Sequence, residues 1–290
     1  MGHAVQAAVS ILFDGIAYSM VLFVMAVGLS VTMGLMGVIN LAHGAFAMAG
    51  GYLTVTFLGD LGLPFLPGLV LATLAVGAAS VPIERALYVR IYRRPHLDQV
   101  LLTIGVTLMS IAVATYAYGP SPLSIKLPAF LETQVGLFGR DFPGYRVFII
   151  AVGLLAFLGL WGGFERTMLG AKIRAAVDNR AMAEATGVNT TRLFTLTFAL
   201  GSALAALGGA LAVDLVGLTP RFAFQYLVLV LVVVSIGGFG TIMGTFAAAL
   251  IIGVIDNAGR YLFPEGSAFF IYLIVILVLI CRPGGLFGRA

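Results

Sequence analysis

The chain has 290 residues, of which 61% are hydrophobic and only 10% are charged, and its formal net charge is +4. Its mean hydropathy is +1.09. This composition excludes an ordinary soluble domain, because a soluble fold of this length exposes far more charge. It predicts a single all-α, polytopic membrane domain over residues 1–290, solvated by the lipid bilayer. The small positive charge is expected to report orientation in the membrane and not binding to nucleic acid.

Apolar runs in chain order predict eight or nine transmembrane helices. One span needs about 20 apolar residues, because the hydrocarbon core is about 30 Å thick. Two of the late runs are shorter than this, so we expect broken, tilted or re-entrant pieces around the turn GGFGTIMG at residues 237–244. The predicted spans are 10–34, 38–58, 65–84, 98–119, 146–163, 192–216, 224–236, 245–258 and 268–281.

The second apolar run, GVINLAHGAFAMAGGYL, contains two polar residues, Asn40 and His43. Three residues apart, they would share one face of a helix, beside a glycine-rich break at Gly34 and Gly37. A polar side chain in hydrocarbon is costly without a partner, so this face should point into the bundle or into a wet cavity. The pair either locks helix packing through neighbouring backbone carbonyls or lines a translocation path.

The basic residues predict which loops face the cytoplasm. Eleven of the sixteen Lys and Arg residues fall in three segments, 84–95, 164–192 and 281–290. Because cytoplasmic loops carry an excess of Lys and Arg, these segments are expected inside. The loop 120–145 then lies outside. It is rich in Pro and Gly, and it either caps the surface and docks a partner or is a plain connector.

The inner loop 164–192 has the pattern of a short amphipathic helix flanked by Gly170 and Gly187. Its apolar positions hold alanine and small aliphatic side chains, with no Trp on that face. An interfacial membrane anchor would need bulkier residues, so this face suits a groove in a partner protein better. The apolar positions repeat every three or four residues: Leu169, Ile173, Val177, Ala181, Ala185 and Val188.

No motif indicates catalysis, a cofactor or a metal site. HExxH, P-loop and GxSxG patterns are absent, the three histidines are scattered, and Cys281 is the single cysteine. We therefore expect no enzyme and no ATPase site within the chain. Most acidic residues lie in loops or near span ends, which weakens the alternative of an ion-coupled secondary transporter of small organic solutes, since such carriers use buried ionisable groups.

Three motifs in this order resemble the permeases of branched-chain amino-acid ABC importers. They are GLMGVINLAHGAFAMAGGYL, the long run from MLGAKIRAAVDNRAMAEATG to FALGSALAALGGAL, and the tail RPGGLFGR. The resemblance implies a permease in the bacterial inner membrane that forms half of a translocation pathway. Its implied partners are a second homologous permease, expected to be non-identical, two cytoplasmic ATPase subunits and a periplasmic substrate-binding protein.

In such importers the inner loop couples the permease to the ATPase. The resemblance carries this role to seven positions: Gly170, Arg174, Ala175, Asp178, Asn179, Ala183 and Gly187. The family also handles urea, amides and aromatic or dicarboxylic acids, so the resemblance leaves the substrate open.

Overall fold

The computed structural model describes residues 2–38, 40–92, 94–137, 140–282 and 284–287, so Arg93 and Arg289 of the basic segments and residues 138–139 of the outer loop lie outside it. The helices are α1 (Gly2–Met36), α2 (His43–Gly59), α3 (Phe65–Ala86), α4 (His96–Tyr118), α5 (Ala129–Glu132), α6 (Gly144–Arg166), α7 (Met168–Asp178), α8 (Arg180–Ala185), α9 (Thr190–Val216), α10 (Phe222–Gly237), α11 (Ile242–Leu262) and α12 (Ser267–Cys281). Strands β1 (Gln134–Leu137) and β2 (Arg140–Pro143) pair antiparallel, and 3₁₀ turns occupy Tyr88–Arg90 and Pro264–Gly266.

The predicted helical membrane architecture is confirmed, although the predicted number of spans is not. Within the described residues, six helices are long and apolar enough to cross a membrane. They are α1, α3, α4, α6, α9 and α11. Helices α2, α10 and α12 have 17, 16 and 15 residues. At 1.5 Å per residue each is shorter than the hydrocarbon core unless adjoining backbone extends it.

The centre of the bundle is formed by α1 and α9, which are the most buried of the long helices. They approach closely because glycines face each other: a Cβ added at Gly28 would meet the backbone of Gly201. Helix α2 crosses α9 in the same way, since a Cβ at Gly209 would meet the carbonyl of Ala47. In lipid, helices gain nothing from hydrophobic exclusion, so this backbone contact supplies much of their attraction.

Two ends of the bundle are defined by the segments that cover them. At the first, which we call the α7 end, α7 and α8 pack on Leu35 of α1 and Phe194 of α9. At the second, which we call the hairpin end, the β1–β2 hairpin places Phe142 against Phe13 of α1, with ring centroids 4.0 Å apart. The chain between α4 and α6 therefore lies opposite the chain between α6 and α9.

The helix of the predicted span 38–58 begins later than predicted, at His43. Gly37 has φ of +62°, which ends α1, and α2 starts only at His43. The argument that Asn40 and His43 share a helix face is therefore wrong, because Asn40 precedes the helix. Asn40 is nevertheless buried, so the stretch carries polar backbone into the bundle. The carbonyl of Leu41 accepts a hydrogen bond from Thr107 Oγ1 at 3.1 Å, which satisfies one such group.

The inner loop forms two helices, where the sequence predicted one. Asn179 has extended backbone and caps α8, its Oδ1 accepting from the Met182 N–H at 3.0 Å, so α7 and α8 are separate. Gly187, with φ of +87°, ends α8 as expected of a flanking glycine. Gly170 does not flank the helix: it lies within the first turn of α7, where an added Cβ would meet the Phe164 carbonyl.

The outer loop is folded and contains the β1–β2 hairpin, which the all-α prediction did not include. Val135 pairs with Phe142 in the hairpin, and Leu131 of α5 and Phe142 are both buried. An isolated bridge also joins Leu123 to Leu218, between α9 and α10. Short β pairs need tertiary cover to be stable, and here the bundle end supplies it.

Candidate coupling surface and buried polar sites

The α7–α8 segment is attached to the bundle through one apolar side. Ile173, Ala176 and Ala183 are buried in a small cluster that includes Leu193 and Phe194 of α9. The same cluster includes Leu35 of α1. Because α1 and α9 form the centre of the bundle, α7 and α8 are in direct contact with the helices that hold the fold together.

The other side of α7 and α8 exposes apolar side chains. Met168 is 75% exposed and Met182 is 63% exposed. Leu169 and Val177 are each 46% exposed. Flexible methionines on an open surface are typical of surfaces that bind a partner protein. The arrangement differs from the predicted stripe, since Ile173 of that stripe faces the bundle and Leu169 and Val177 face outward.

The seven positions assigned to coupling divide between these two sides. Arg174 is exposed, and its guanidinium donates to the carbonyl of Phe164, which ties α7 to the end of α6. Ala175 follows it on the exposed surface. The remaining exposed positions are Asp178, Asn179 and Gly187, and the buried ones are Gly170 and Ala183.

Asn40 and His43 are both buried and both have protein partners. Asn40 Oδ1 accepts from the Ala42 N–H at 3.1 Å and from Tyr88 Oη at 2.9 Å. His43 Nε2 lies 2.8 Å from the carbonyl of Met25 on α1, to which it donates. These bonds hold the non-helical stretch before α2 against α1 and against the turn after α3, which favours the packing interpretation over lining of a path.

A buried carboxylate that sequence reasoning missed lies near the α7 end. Glu84 of α3 is 1% exposed. It accepts from Tyr92 Oη at 2.5 Å and from Thr195 Oγ1 at 3.0 Å. Burial, with the hydrogen bond to Glu84, raises the pKa of Tyr92, so the phenol stays protonated and acts as the donor. The sequence does mark Glu84, as the one acidic residue in the last turn of an apolar helix, in SVPIERA. The arginines that follow it, however, place this turn in the predicted basic segment 84–95.

Glu84 lines a cavity of about 350 Å³ between α3, α8 and α9. Arg180 of α8 also lines it, and its guanidinium carbon lies 4.8 Å from the centre of the Phe194 ring. Arg180 Nε donates to Glu184 at 3.0 Å. The lining residues are Glu84, Val89, Tyr92, Arg180, Thr191 and Phe194.

Two acidic residues toward the hairpin end have basic partners. Asp14 pairs with Arg146, and Asp256 accepts from Arg260 Nη2 at 2.8 Å. Carboxylates held in this way give no support to an ion-coupled carrier, whose ion would have to displace the guanidinium. In the described part of the chain, no group of three or more His, Cys, Asp and Glu residues is placed to hold a metal ion.

Comparison with known proteins gives matches that extend over most of the chain. The permease protein LivH of the high-affinity branched-chain amino acid transport system of Escherichia coli (strain K12) is 29% identical, over 96% of this chain and 94% of LivH. LivM of the same kind of system in Salmonella typhimurium is 27% identical, over 92% of this chain and 68% of LivM.

A solved structure shows the same fold. It is PsaBC from Streptococcus pneumoniae in complex with Fab, matched with a TM-score of 0.52 and 13% identity over 92% of this chain and 89% of that one. A family model described as "Branched-chain amino acid transport system / permease component" matches residues 11–279. Since this match covers nearly all of a multi-pass helical membrane chain, the protein belongs to the family of permease components of branched-chain amino acid transport systems.

Proposed function

We propose that the chain is a transmembrane permease subunit of an ATP-driven importer for branched-chain amino acids or related small polar solutes. It forms half of the translocation pathway and relies on ATPase subunits for energy, having no ATPase site of its own. The family match and the names of LivH and LivM support this function over an ion-coupled secondary transporter. Similarity to both LivH and LivM supports pairing with a second homologous permease, which we expect to be non-identical.

The observation that carries the proposal is the two-sided α7–α8 segment. One side packs on α1 and α9, and the other exposes Met168 and Met182. An ATPase that binds the exposed side would move α7 and α8 and, through Leu35 and Phe194, the two central helices. Rigid-body movement of packed elements is how such a surface transmits a change, because packed cores shift as units.

We also propose nine membrane crossings in the bacterial inner membrane, with the α7 end in the cytoplasm. The short helix α10 starts after Leu218, which bridges to Leu123 at the hairpin end. It ends where the Ile236 carbonyl accepts from the Leu286 N–H of the tail, at 2.6 Å. Helix α11 returns to the hairpin end and α12 leads back to the tail. This alternation supports counting α10 and α12 as crossings. With α2 also counted and the α7 end in the cytoplasm, nine crossings imply an N-terminus outside.

The folded loop 120–145 is proposed as the docking surface for a periplasmic substrate-binding protein. It covers the hairpin end, opposite the proposed ATPase surface, which is the side from which a periplasmic partner would deliver substrate. Its buried Leu131 and Phe142 give it a fixed shape, whereas a plain connector needs no core of its own.

Exchange of exposed residues on α7 and α8 tests the coupling role. Met182→Asp places a charge in the proposed contact, and Arg174→Glu reverses a charge beside it. We expect each to reduce co-purification of the ATPase and substrate uptake by about tenfold or more, since burying an unpaired charge in a contact costs about 2 kcal/mol or more. The measurements are ATPase recovery with the tagged permease and uptake into proteoliposomes.

Arg221→Glu is the matched control, because Arg221 is an exposed cation immediately before α10, toward the hairpin end. It should leave ATPase recovery unchanged. Full ATPase recovery and full uptake in both α7–α8 variants would refute the coupling assignment.

A further inference from the structure

The cavity beside Glu84 is built to hold charges of both signs. Glu84 lies at its wall, almost fully buried, and its two oxygens accept hydrogen bonds from the neutral hydroxyls of Tyr92 and Thr195. Among the described residues no Lys or Arg forms an ion pair with it. A buried carboxylate that accepts only from neutral hydroxyls favours a cation beside it, because such hydrogen bonds compensate its charge only in part.

A cation of the protein lies elsewhere on the same cavity. Arg180 lines it from α8, and its Nε donates a hydrogen bond to Glu184. The two terminal nitrogens of Arg180 have no acceptor among the described residues. A guanidinium presents several donors in a fixed plane and prefers a carboxylate, which it can bind with two parallel hydrogen bonds. Thr191 adds a hydroxyl group to the lining.

The remaining walls are apolar and limit the size of a ligand. Val89 and the ring of Phe194 complete the lining, and the cavity volume of about 350 Å³ is at the lower end of the range for small-molecule sites. A ligand that fits needs an ammonium group for Glu84, a carboxylate for Arg180 and a short aliphatic side chain for Phe194. These three groups together describe a free amino acid.

We propose that this cavity is a binding site for a free, aliphatic amino-acid zwitterion. The site joins Glu84 on α3 to Arg180 on α8 and Phe194 on α9, so a bound amino acid would fix the α7–α8 segment against the bundle. This inference rests on the proposed function, in which the α7 end faces the cytoplasm. The cavity then opens on the side where imported product accumulates. Occupancy would then oppose the movement that couples the ATPase to the pathway, and import would slow as product rises.

Direct binding tests the site. The assembled membrane complex, without the substrate-binding protein, is titrated with radiolabelled L-leucine and with two analogues that each lack one charge, 3-methylbutan-1-amine and 4-methylpentanoate. We expect leucine to bind, and each analogue to bind at least about tenfold more weakly, because each loses one charge-assisted interaction. Glu84→Gln and Arg180→Gln should each weaken leucine binding by a similar factor.

Arg85→Gln is the matched control, since Arg85 is an exposed cation next to Glu84 that does not line the cavity. It should leave binding unchanged. Arg180 is on the surface of α8, so its variant tests the site even if Glu84→Gln lowers stability. Absence of leucine binding, equal binding in Arg180→Gln, or binding of the amine as tight as that of leucine would overturn the proposal.

The regulatory consequence is measured in proteoliposomes with the α7 end facing the added ATP. ATP hydrolysis driven by loaded binding protein is recorded with and without leucine on that same side, and the ratio is compared between variants. Inhibition by leucine that is relieved in Arg180→Gln supports the proposal, and inhibition that persists there opposes it. Normal uptake without leucine binding would defeat this site alone, whereas leucine binding in a complex that imports nothing would defeat the proposed function.

Discussion

At the scale of single residues, the buried polar side chains compensate for interrupted backbone. Val38 and residues 40–42, after Gly37, are not helical, so their N–H and C=O groups lose their usual helical partners. Asn40 supplies an acceptor to the Ala42 N–H, and Tyr88 donates to the same oxygen. In hydrocarbon each unsatisfied group would cost several kcal/mol, which explains why this apolar segment keeps an asparagine.

His43 separates the two interpretations of this pair. His43→Leu removes the donor to the Met25 carbonyl, and we expect it to lower the free energy of unfolding by about 1–3 kcal/mol. His43→Gln keeps an N–H donor and should recover part of that loss. Thermal unfolding in detergent, together with uptake per folded molecule, provides the measurement. A His43→Leu protein of unchanged stability with slow uptake would favour the path interpretation instead.

At the scale of elements, the outer loop and the α7–α8 segment have secondary structure and hydrogen bonds of their own, which a plain connector does not need. The outer loop folds back on itself, because the Gly144 N–H donates to the Thr133 carbonyl at 2.9 Å. The chain therefore leaves and returns at nearly one point, with the hairpin between these two residues. The α7–α8 segment is similarly shaped by its own caps, Thr167 before α7 and Asn179 between the helices.

Excision of the hairpin tests the docking role of the outer loop. Residues 134–143 can be replaced by two glycines, since Thr133 and Gly144 are already in contact. We expect delivery by the binding protein to fall at limiting binding protein, while the ATPase still co-purifies and hydrolyses ATP. The loss of Phe142 packing should lower stability, so uptake is compared per folded complex. Full uptake by the shortened protein at limiting binding protein would make the loop a spacer.

At the scale of the whole molecule, hydropathy predicted the helices, and the glycine-rich turns predicted the breaks at Gly37 and between α10 and α11, but not the exact ends of the helices beside them. All nine apolar runs contain a helix, because burial in lipid demands internally bonded backbone. The start of α2 at His43, the break at Asn179 and the hairpin depend on tertiary contacts and caps that periodicity does not contain. Glu84 was missed because its burial depends on the fold: Thr195 is 111 residues away along the chain, and only the fold brings its hydroxyl to the carboxylate.

The orientation of the whole chain can be tested by cysteine labelling. Cys281→Ser gives a background without cysteine, into which Ser124→Cys, Ala175→Cys and Phe287→Cys are introduced singly at exposed positions. An impermeant maleimide should label Ser124→Cys in intact cells and the other two only after permeabilisation, because one proposed crossing, α6, separates Ser124 from Ala175. Four proposed crossings, α9 to α12, separate Ala175 from Phe287, an even number that returns the chain to the same side. Labelling of these two positions from opposite sides would mean that α10 or α12 does not cross, and the nine-crossing topology would have to be abandoned.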